Sequence, residues 1–121
     1  MRRYRAAAFA VMLAFAGTPV ALAHAFLDRA APAVGSEVRS SPPSVTLWFS
    51  EELEPAFSSI KVLDAKGQQV DRGDTAPDAR DRTSLKVSLM TLPPGTYRVV
   101  WRALSMDTHA TQGDFSFTVS R

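Results

Sequence analysis

Cysteine is absent from all 121 residues. That excludes disulfides, thiolate metal sites and a cysteine nucleophile. Histidine is nearly absent: His24 and His109 are the 2 present. Of the 4 methionines, Met1 and Met12 sit in the first 23 residues, leaving Met90 and Met106 beyond them. No stretch beyond residue 23 has a convincing helical period, which disfavours a helical bundle or an α/β fold. No Gly-x-Ser-x-Gly elbow accompanies the many serines, so a hydrolase nucleophile has no frame. Single-sign charge is also missing. The formal net charge of +2 depends on Arg2, Arg3 and Arg5; without the first 23 residues, 11 basic side chains face 12 acidic ones. No basic stripe remains to track phosphates, so a nucleic-acid partner is not expected. What is present, 45% hydrophobic and 21% charged residues, is ordinary globular composition for one domain.

The first 23 residues read as a secretory leader that is cleaved. Met1–Arg5 is basic, Ala6–Ala16 is apolar, and Ala21-Leu22-Ala23 is a small-x-small cleavage pattern. Gly17 and Pro19 interrupt the run, and a span needs about 20 apolar residues, so an anchor is the weaker reading. Cleavage after Ala23 leaves residues 24–121 as a soluble periplasmic domain with no stable membrane insertion. His24 then becomes the N-terminal residue. Its free amine and Nδ1 would close a six-membered ring on a metal.

In the remaining chain, period-2 alternation recurs. Val45, Leu47 and Phe49 share a face; so do Ile60 and Val62; Leu85, Val87 and Leu89; Tyr97, Val99, Trp101 and Ala103; and Phe115, Phe117 and Val119. Asp64-Ala65-Lys66-Gly67 reads as a hairpin turn with Gly67 in the left-handed region, and Leu92-Pro93-Pro94-Gly95 as a turn before the Tyr97 strand. The His24–Asp28 segment and a short Gln68–Asp71 return bring the count to about seven strands. The expected fold is all-β, a seven-stranded antiparallel Greek-key sandwich or barrel. Asp71 to Thr83, rich in charge and lacking large apolar side chains, reads as a long solvated loop.

The second histidine lies in Ser105-Met106-Asp107-Thr108-His109. In extended backbone, residues two apart project from one face, so Asp107 and His109 would point the same way. With His24 they offer an amine nitrogen, two imidazole nitrogens and a carboxylate oxygen. Such a set suits Cu(II) in a roughly planar arrangement, and zinc in a tetrahedral one. The convergence requires that both strand ends meet at one edge of the sandwich.

The chain from His24 onward resembles the CopC/YobA family of CopC-type periplasmic copper-binding proteins. The matching stretches are His24 with Asp28-Arg29-Ala30-Ala31-Pro32, Val45–Glu51, Pro94-Gly95-Thr96-Tyr97, Val100-Trp101-Arg102, Ser105 with Asp107-Thr108-His109, and Gly113-Asp114-Phe115-Ser116-Phe117. The resemblance implies a cupredoxin-like or immunoglobulin-like sandwich. It also implies one Cu(II) per mature chain, bound by His24, Asp107 and His109. The family's acidic residue after Phe-Ser falls on Glu51, which resembles a weak further ligand or an acceptor that orients the coordinating imidazole or amine. Some members add a Met-rich Cu(I) loop; Leu63–Val70 here has neither Met nor His, so the resemblance implies a Cu(II) site alone. Ala110 stands where the family often has proline. The function implied is a copper carrier or sequestering protein in homeostasis or resistance, not an enzyme, with an inner-membrane copper transporter of the CopD type as partner. Two other readings compete: an immunoglobulin-like interaction module without metal, and a copper-dependent oxidative enzyme acting on polysaccharide.

Overall fold

The structure is a computed structural model and describes residues 25–120. The expected leader, its cleavage site and His24 lie outside the described residues.

Among the described residues, eight strands form two four-stranded sheets, packed as a sandwich. The first sheet has the order β1 (Leu27–Ala31), β3 (Ser44–Phe49), β6 (Asp81–Ser88), β5 (Ala76–Asp78). The second has β2 (Glu37–Val38), β8 (Ala110–Val119), β7 (Gly95–Leu104), β4 (Ser59–Leu63). The chain passes between sheets from β1 to β2, β2 to β3, β3 to β4, β4 to β5 and β6 to β7. A single 3-10 turn, Pro55–Phe57, interrupts the crossing from β3 to β4. Among the described residues no helix is long and apolar enough to cross a membrane.

Alternation is what closes the core. Val45 and Leu47 of β3 stand opposite Val87 and Leu85 of β6, and all four are fully buried. From the other sheet, Tyr97 and Val99 of β7 face Phe117 and Phe115 of β8. Phe49 and Trp101 meet edge to face across the sheets, with centroids 5.2 Å apart. Each such aromatic pair adds about 0.5–1.5 kcal/mol beyond the area it removes from water. Gly113 sits opposite Trp101. A Cβ there would lie 2.6 Å from the indole, so glycine is what lets the ring lie against β8.

The turns take the expected forms. Gly67 has φ 81°. Its N–H donates to the Asp64 carbonyl at 3.0 Å, while the Asp64 carboxylate accepts from Lys66 N and Gln68 N, each at 2.9 Å. The Tyr97 hydroxyl donates to the Pro93 carbonyl four residues upstream, at 2.5 Å, and its ring stacks on Phe117. This is the tyrosine corner of antiparallel sandwiches.

Three features differ from the sequence reading. The count is eight strands, because Glu37–Val38 forms a short strand that alternation over two residues could not reveal. It runs parallel to β8. The Gln68–Asp71 return makes only isolated bridges, Leu63 to Gln69 and Asp71 to Leu89. Finally, residues 71–83 are not a long open loop: they hold β5 and the start of β6. The reason is carboxylate chemistry. Asp71 is 4% exposed and accepts from Val62 N at 2.8 Å and Gly73 N at 2.9 Å. Asp74 accepts from Ser88 N at 2.8 Å and Asp81 from Thr83 N at 3.0 Å. Charge density that reads as solvation is spent on backbone donors.

Candidate metal site

The candidate residues gather at one end of the sandwich. The loop joining β7 to β8 carries Asp107 and His109. Ser105 N donates to the His109 carbonyl at 3.0 Å, and Thr108 N to the Ser105 carbonyl at 2.9 Å, closing a tight turn. Thr108 has φ 72°, a costly conformation for a β-branched residue that tends to appear where geometry serves a site. Asp107 and His109 therefore do converge, but through this turn and not through extended backbone. The His109 Nδ1 lies 3.2 Å from Asp107 Oδ1. The side chains are 43% and 38% exposed, while the His109 Nδ1 atom itself is shielded from solvent.

Ser105 is the hub of the turn. It is 1% exposed. Its hydroxyl donates to Asp107 Oδ1 and accepts from the His109 N–H at 3.3 Å. That hydroxyl first, and His109 after it, hold the Asp107 carboxyl below the usual carboxylate range. Asp107 is thus a carboxylate throughout the neutral and mildly acidic range.

Two further hydroxyls fix the N-terminal segment beside this loop. Thr111, two residues past His109 and opposite Ala103 on the inward face, donates from Oγ1 to the Ala25 carbonyl at 2.7 Å. Ala25 is fully buried. Phe26 N donates to Ser50 Oγ and Ser50 N to the Phe26 carbonyl, both at 2.9 Å. The chain after Ser50 then turns along the loop: Met106 N donates to the Glu52 carbonyl at 3.0 Å and Glu54 N to the Leu104 carbonyl at 2.8 Å. Glu51, Glu52, Ser105, Met106 and Asp107 line one shallow groove of about 250 Å³.

Of the four residues expected from sequence, Asp107 and His109 are in contact, and Glu51 lines the groove with Asp107. His24 lies outside the described residues, next to the clamped Ala25. No three His, Cys, Asp or Glu side chains among the described residues gather closely enough to hold a metal. Thr111 escaped the sequence reading, and Ser50 and Ser105 entered it without the role their hydroxyls play here. A hydroxyl's role depends on which carbonyl or carboxylate folding brings to it, and spacing carries no such signal.

A family model, the CopC domain, matches residues 27–120. The chain belongs to the CopC family. It is 35% identical over 113 residues to protein YobA of Escherichia coli K12, covering 93% of this chain and 91% of that one. It is 35% identical over 106 residues to copper resistance protein C of E. coli, covering 82% and 83%. Copper transport protein CutJ of Bacillus subtilis is 33% identical over 100 residues, which span 82% of this chain but 18% of CutJ. Among solved structures, CopC from Methylosinus trichosporium OB3b superposes with a TM-score of 0.76 at 38% identity, covering 80% of this chain and 94% of that one. The methionine-rich copper resistance protein PcoC of E. coli gives 0.71 at 38% identity, covering 81% and 100%. The family match thus spans the sheets and the loop that carries Asp107 and His109.

Proposed function

We propose that this CopC-family protein is a periplasmic carrier or sequestering protein for copper, with one Cu(II) per mature chain as cargo. The observation that carries the reading is the Asp107–His109 pair, held in contact beside the clamped Ala25. Cleavage after Ala23 creates the amine of His24, one peptide bond from Ala25. His24 would supply amine and imidazole nitrogens, His109 a second imidazole and Asp107 an oxygen. Three nitrogens and an oxygen match the preference of Cu(II). Glu51 borders the groove as a weaker ligand or as an acceptor that orients the nitrogen donors.

The sulfur chemistry of a Cu(I) site has no support in this chain. Met106 stands at the groove, whereas Met90 follows Ser88, which pairs with Ser44 at the opposite end of β3. The two thioethers cannot share an ion. A carrier fits the exposed, shallow groove better than an enzyme does. The correspondence of 82% of this chain to 18% of copper transport protein CutJ supports a copper transporter as the partner; an inner-membrane one of the CopD type is what the family resemblance implies.

The test compares mature protein beginning at His24 with the same chain carrying one extra N-terminal Gly. Each is titrated with Cu(II) against a chromophoric competitor and examined by electron paramagnetic resonance. We expect one equivalent of tightly bound Cu(II) with a nitrogen-rich spectrum for the first chain. The extended chain, equally folded by circular dichroism, should bind weaker by orders of magnitude, because the extra residue converts the His24 amine into a poor amide donor. Equal binding by both chains overturns the N-terminal chelate.

A further inference from the structure

The outer faces of the two sheets differ in charge. On the first, a groove of about 420 Å³ sets Lys86 against two carboxylates, Asp74 and Asp78. On the second, a groove of about 470 Å³ sets Lys61, Arg98 and Arg102 against one, Asp114. Strand register gathers these cations. Val100 of β7 pairs with Lys61 of β4 on one side and with Asp114 of β8 on the other. Arg98 and Arg102 lie two residues either way along β7, on the face of Val100 and about 7 Å along the strand from it. All three cations are exposed. Arg98 Nε stands 2.8 Å from Asp114 Oδ2, so those two charges offset each other. Lys61 and Arg102 make no ion pair among the described residues. From residue 24 onward the chain has 11 basic and 12 acidic side chains, so this excess belongs to one face.

A peptide would find little to hold here. β7 is paired along both edges, between β4 and β8. The outer edge of β4 is taken as well: Val70 N donates to the Val62 carbonyl and Val62 N to Asp71 Oδ2, both at 2.8 Å. An added strand needs a run of free backbone groups, and this face has none. No large exposed apolar side chain among the described residues lines the groove. What remains is charge spread over neighbouring strands, which suits a fluid surface of phosphate head groups.

We propose that the outer face of the second sheet is an electrostatic docking surface for an anionic phospholipid membrane, with Lys61 and Arg102 meeting the head-group phosphates. The contact is adsorption without insertion, so it is reversible and sensitive to salt. Position gives it a consequence. β7 runs through Arg98 and Arg102 to Leu104, where the loop with Asp107 and His109 begins. The groove of Glu51, Glu52 and Asp107 has the sign of the lipid surface and is repelled by it. A chain resting on its second sheet therefore stays at the membrane with its site end uncovered. The value of this for copper delivery rests on the function proposed above; the adsorption does not.

The test uses metal-free protein beginning at His24, sedimented at low ionic strength with vesicles of phosphatidylcholine alone or mixed equally with phosphatidylglycerol. We expect binding to the mixed vesicles and none to the neutral ones. Binding should vanish as salt approaches about 1 M, where charges are screened beyond about 3 Å. Lys61→Gln combined with Arg102→Gln should weaken it about 20-fold, because each cation near such a surface contributes about fivefold. Lys86→Gln combined with Arg80→Gln removes the same charge from the first sheet and its β5–β6 turn, and should leave binding nearly unchanged. Circular dichroism checks the fold of every chain. Equal binding to both vesicle types, no binding to the mixed ones, or an equal loss in the two double variants overturns the proposal. So does saturable displacement by inorganic phosphate at matched ionic strength, which would mark a small-anion site. Tighter binding to polyglutamate than to the vesicles also overturns it, in favour of an acidic protein partner. A chain that docks on vesicles but binds no Cu(II) overturns the copper reading and leaves the docking surface standing; a chain that binds Cu(II) and ignores the mixed vesicles does the reverse.

Discussion

The two ends of the sandwich solve the same problem, closing strands with turns, in opposite ways. At the end that holds the Asp64 turn and the Tyr97 corner, polar atoms are consumed by backbone. The Asp64 carboxylate accepts from two backbone N–H groups and the Tyr97 hydroxyl donates to the Pro93 carbonyl. At the other end, the Ser50 and Thr111 hydroxyls hold the backbone of Phe26 and Ala25, and the Ser105 hydroxyl holds Asp107, whose side chain stays 38% exposed. The first end uses side chains to finish the fold. The second uses them to hold the segment and the loop that carry the proposed ligands, and that loop includes the left-handed Thr108. Substitutions should therefore separate: far-end changes should move stability alone, and changes of the proposed ligand side chains should move metal affinity alone.

The largest expected effect is at the site. His109→Ala should lower Cu(II) affinity by about 100-fold or more, because Cu(II) prefers imidazole to carboxylate. Asp107→Ala should cost less, and Glu51→Gln least. The melting temperature of the metal-free chains should stay close to the native value, since all three side chains are solvent-accessible. Competitive titration with parallel calorimetry checks both halves. A Glu51→Gln loss equal to that of His109→Ala would make Glu51 a principal ligand.

Next comes a change between the two ends. Gly113→Ala forces a methyl against the Trp101 indole, 2.6 Å from its nearest atom. The ring is buried against Phe49 and has little room to retreat. Overpacking of this kind costs about 1–3 kcal/mol. We expect that loss in urea unfolding, together with a shifted tryptophan emission. A native midpoint would show that the core yields more easily than its packing suggests.

A finer division concerns Thr111. Thr111→Val keeps the shape and the β-branch, but removes the donor to the Ala25 carbonyl. We expect about a tenfold loss of Cu(II) affinity, at the low end of the range for groups that support ligands. Stability should fall by about 1 kcal/mol, the size of one hydrogen bond. An unchanged affinity would mean that the position of Ala25 does not govern the His24 chelate.

Legibility followed the same division. The far end could be read from sequence, because glycine, proline and alternation act through local sterics: Gly67 takes the left-handed region its turn predicts, and the chain bends at Pro94 just before β7. The long strands β3, β7 and β8 were equally visible, since one buried face imposes period 2 over six residues or more. Glu37–Val38 was too short for any period. Residues 71–83 were misread because seven charges look solvated until each aspartate finds its backbone donor. At the site, Asp107 and His109 were legible as residue types of the right chemistry. Their convergence came from a turn around Ser105 that no spacing rule contains. The clamp on Ala25 joins residues 86 positions apart in the chain.

The smallest expected effect tests the far end by pH. Tyr97 is 4% exposed. Burial first, and the Asp64 charge second, push its hydroxyl above the usual tyrosine range. The other tyrosine, Tyr4, lies in the expected leader, so a chain beginning at His24 has Tyr97 as its sole tyrosine. The sign follows from linkage. The unfolded tyrosine loses its proton near pH 10, while the folded one retains it. Above that pH the unfolded state binds fewer protons, and stability falls as pH rises until the folded hydroxyl also ionises. The contribution is whole below pH 10 and disappears above it. Tyr97→Phe removes both the hydrogen bond to Pro93 and this titration. At pH 8 the variant should be less stable by about 0.5–1.5 kcal/mol. On raising the pH to 11 the gap should narrow, because only the native chain loses the tyrosine term; the lysines titrate alike in both. Urea midpoints at the two pH values, with tyrosinate absorbance to follow ionisation, give the comparison. A gap that stays constant from pH 8 to 11 would mean that Tyr97 ionises as readily in the fold as in the unfolded chain, and that the corner is held by ring packing on Phe117 and not by the hydroxyl. Cu(II) affinity at pH 8 should be the same in both chains, since the corner and the groove share no residue.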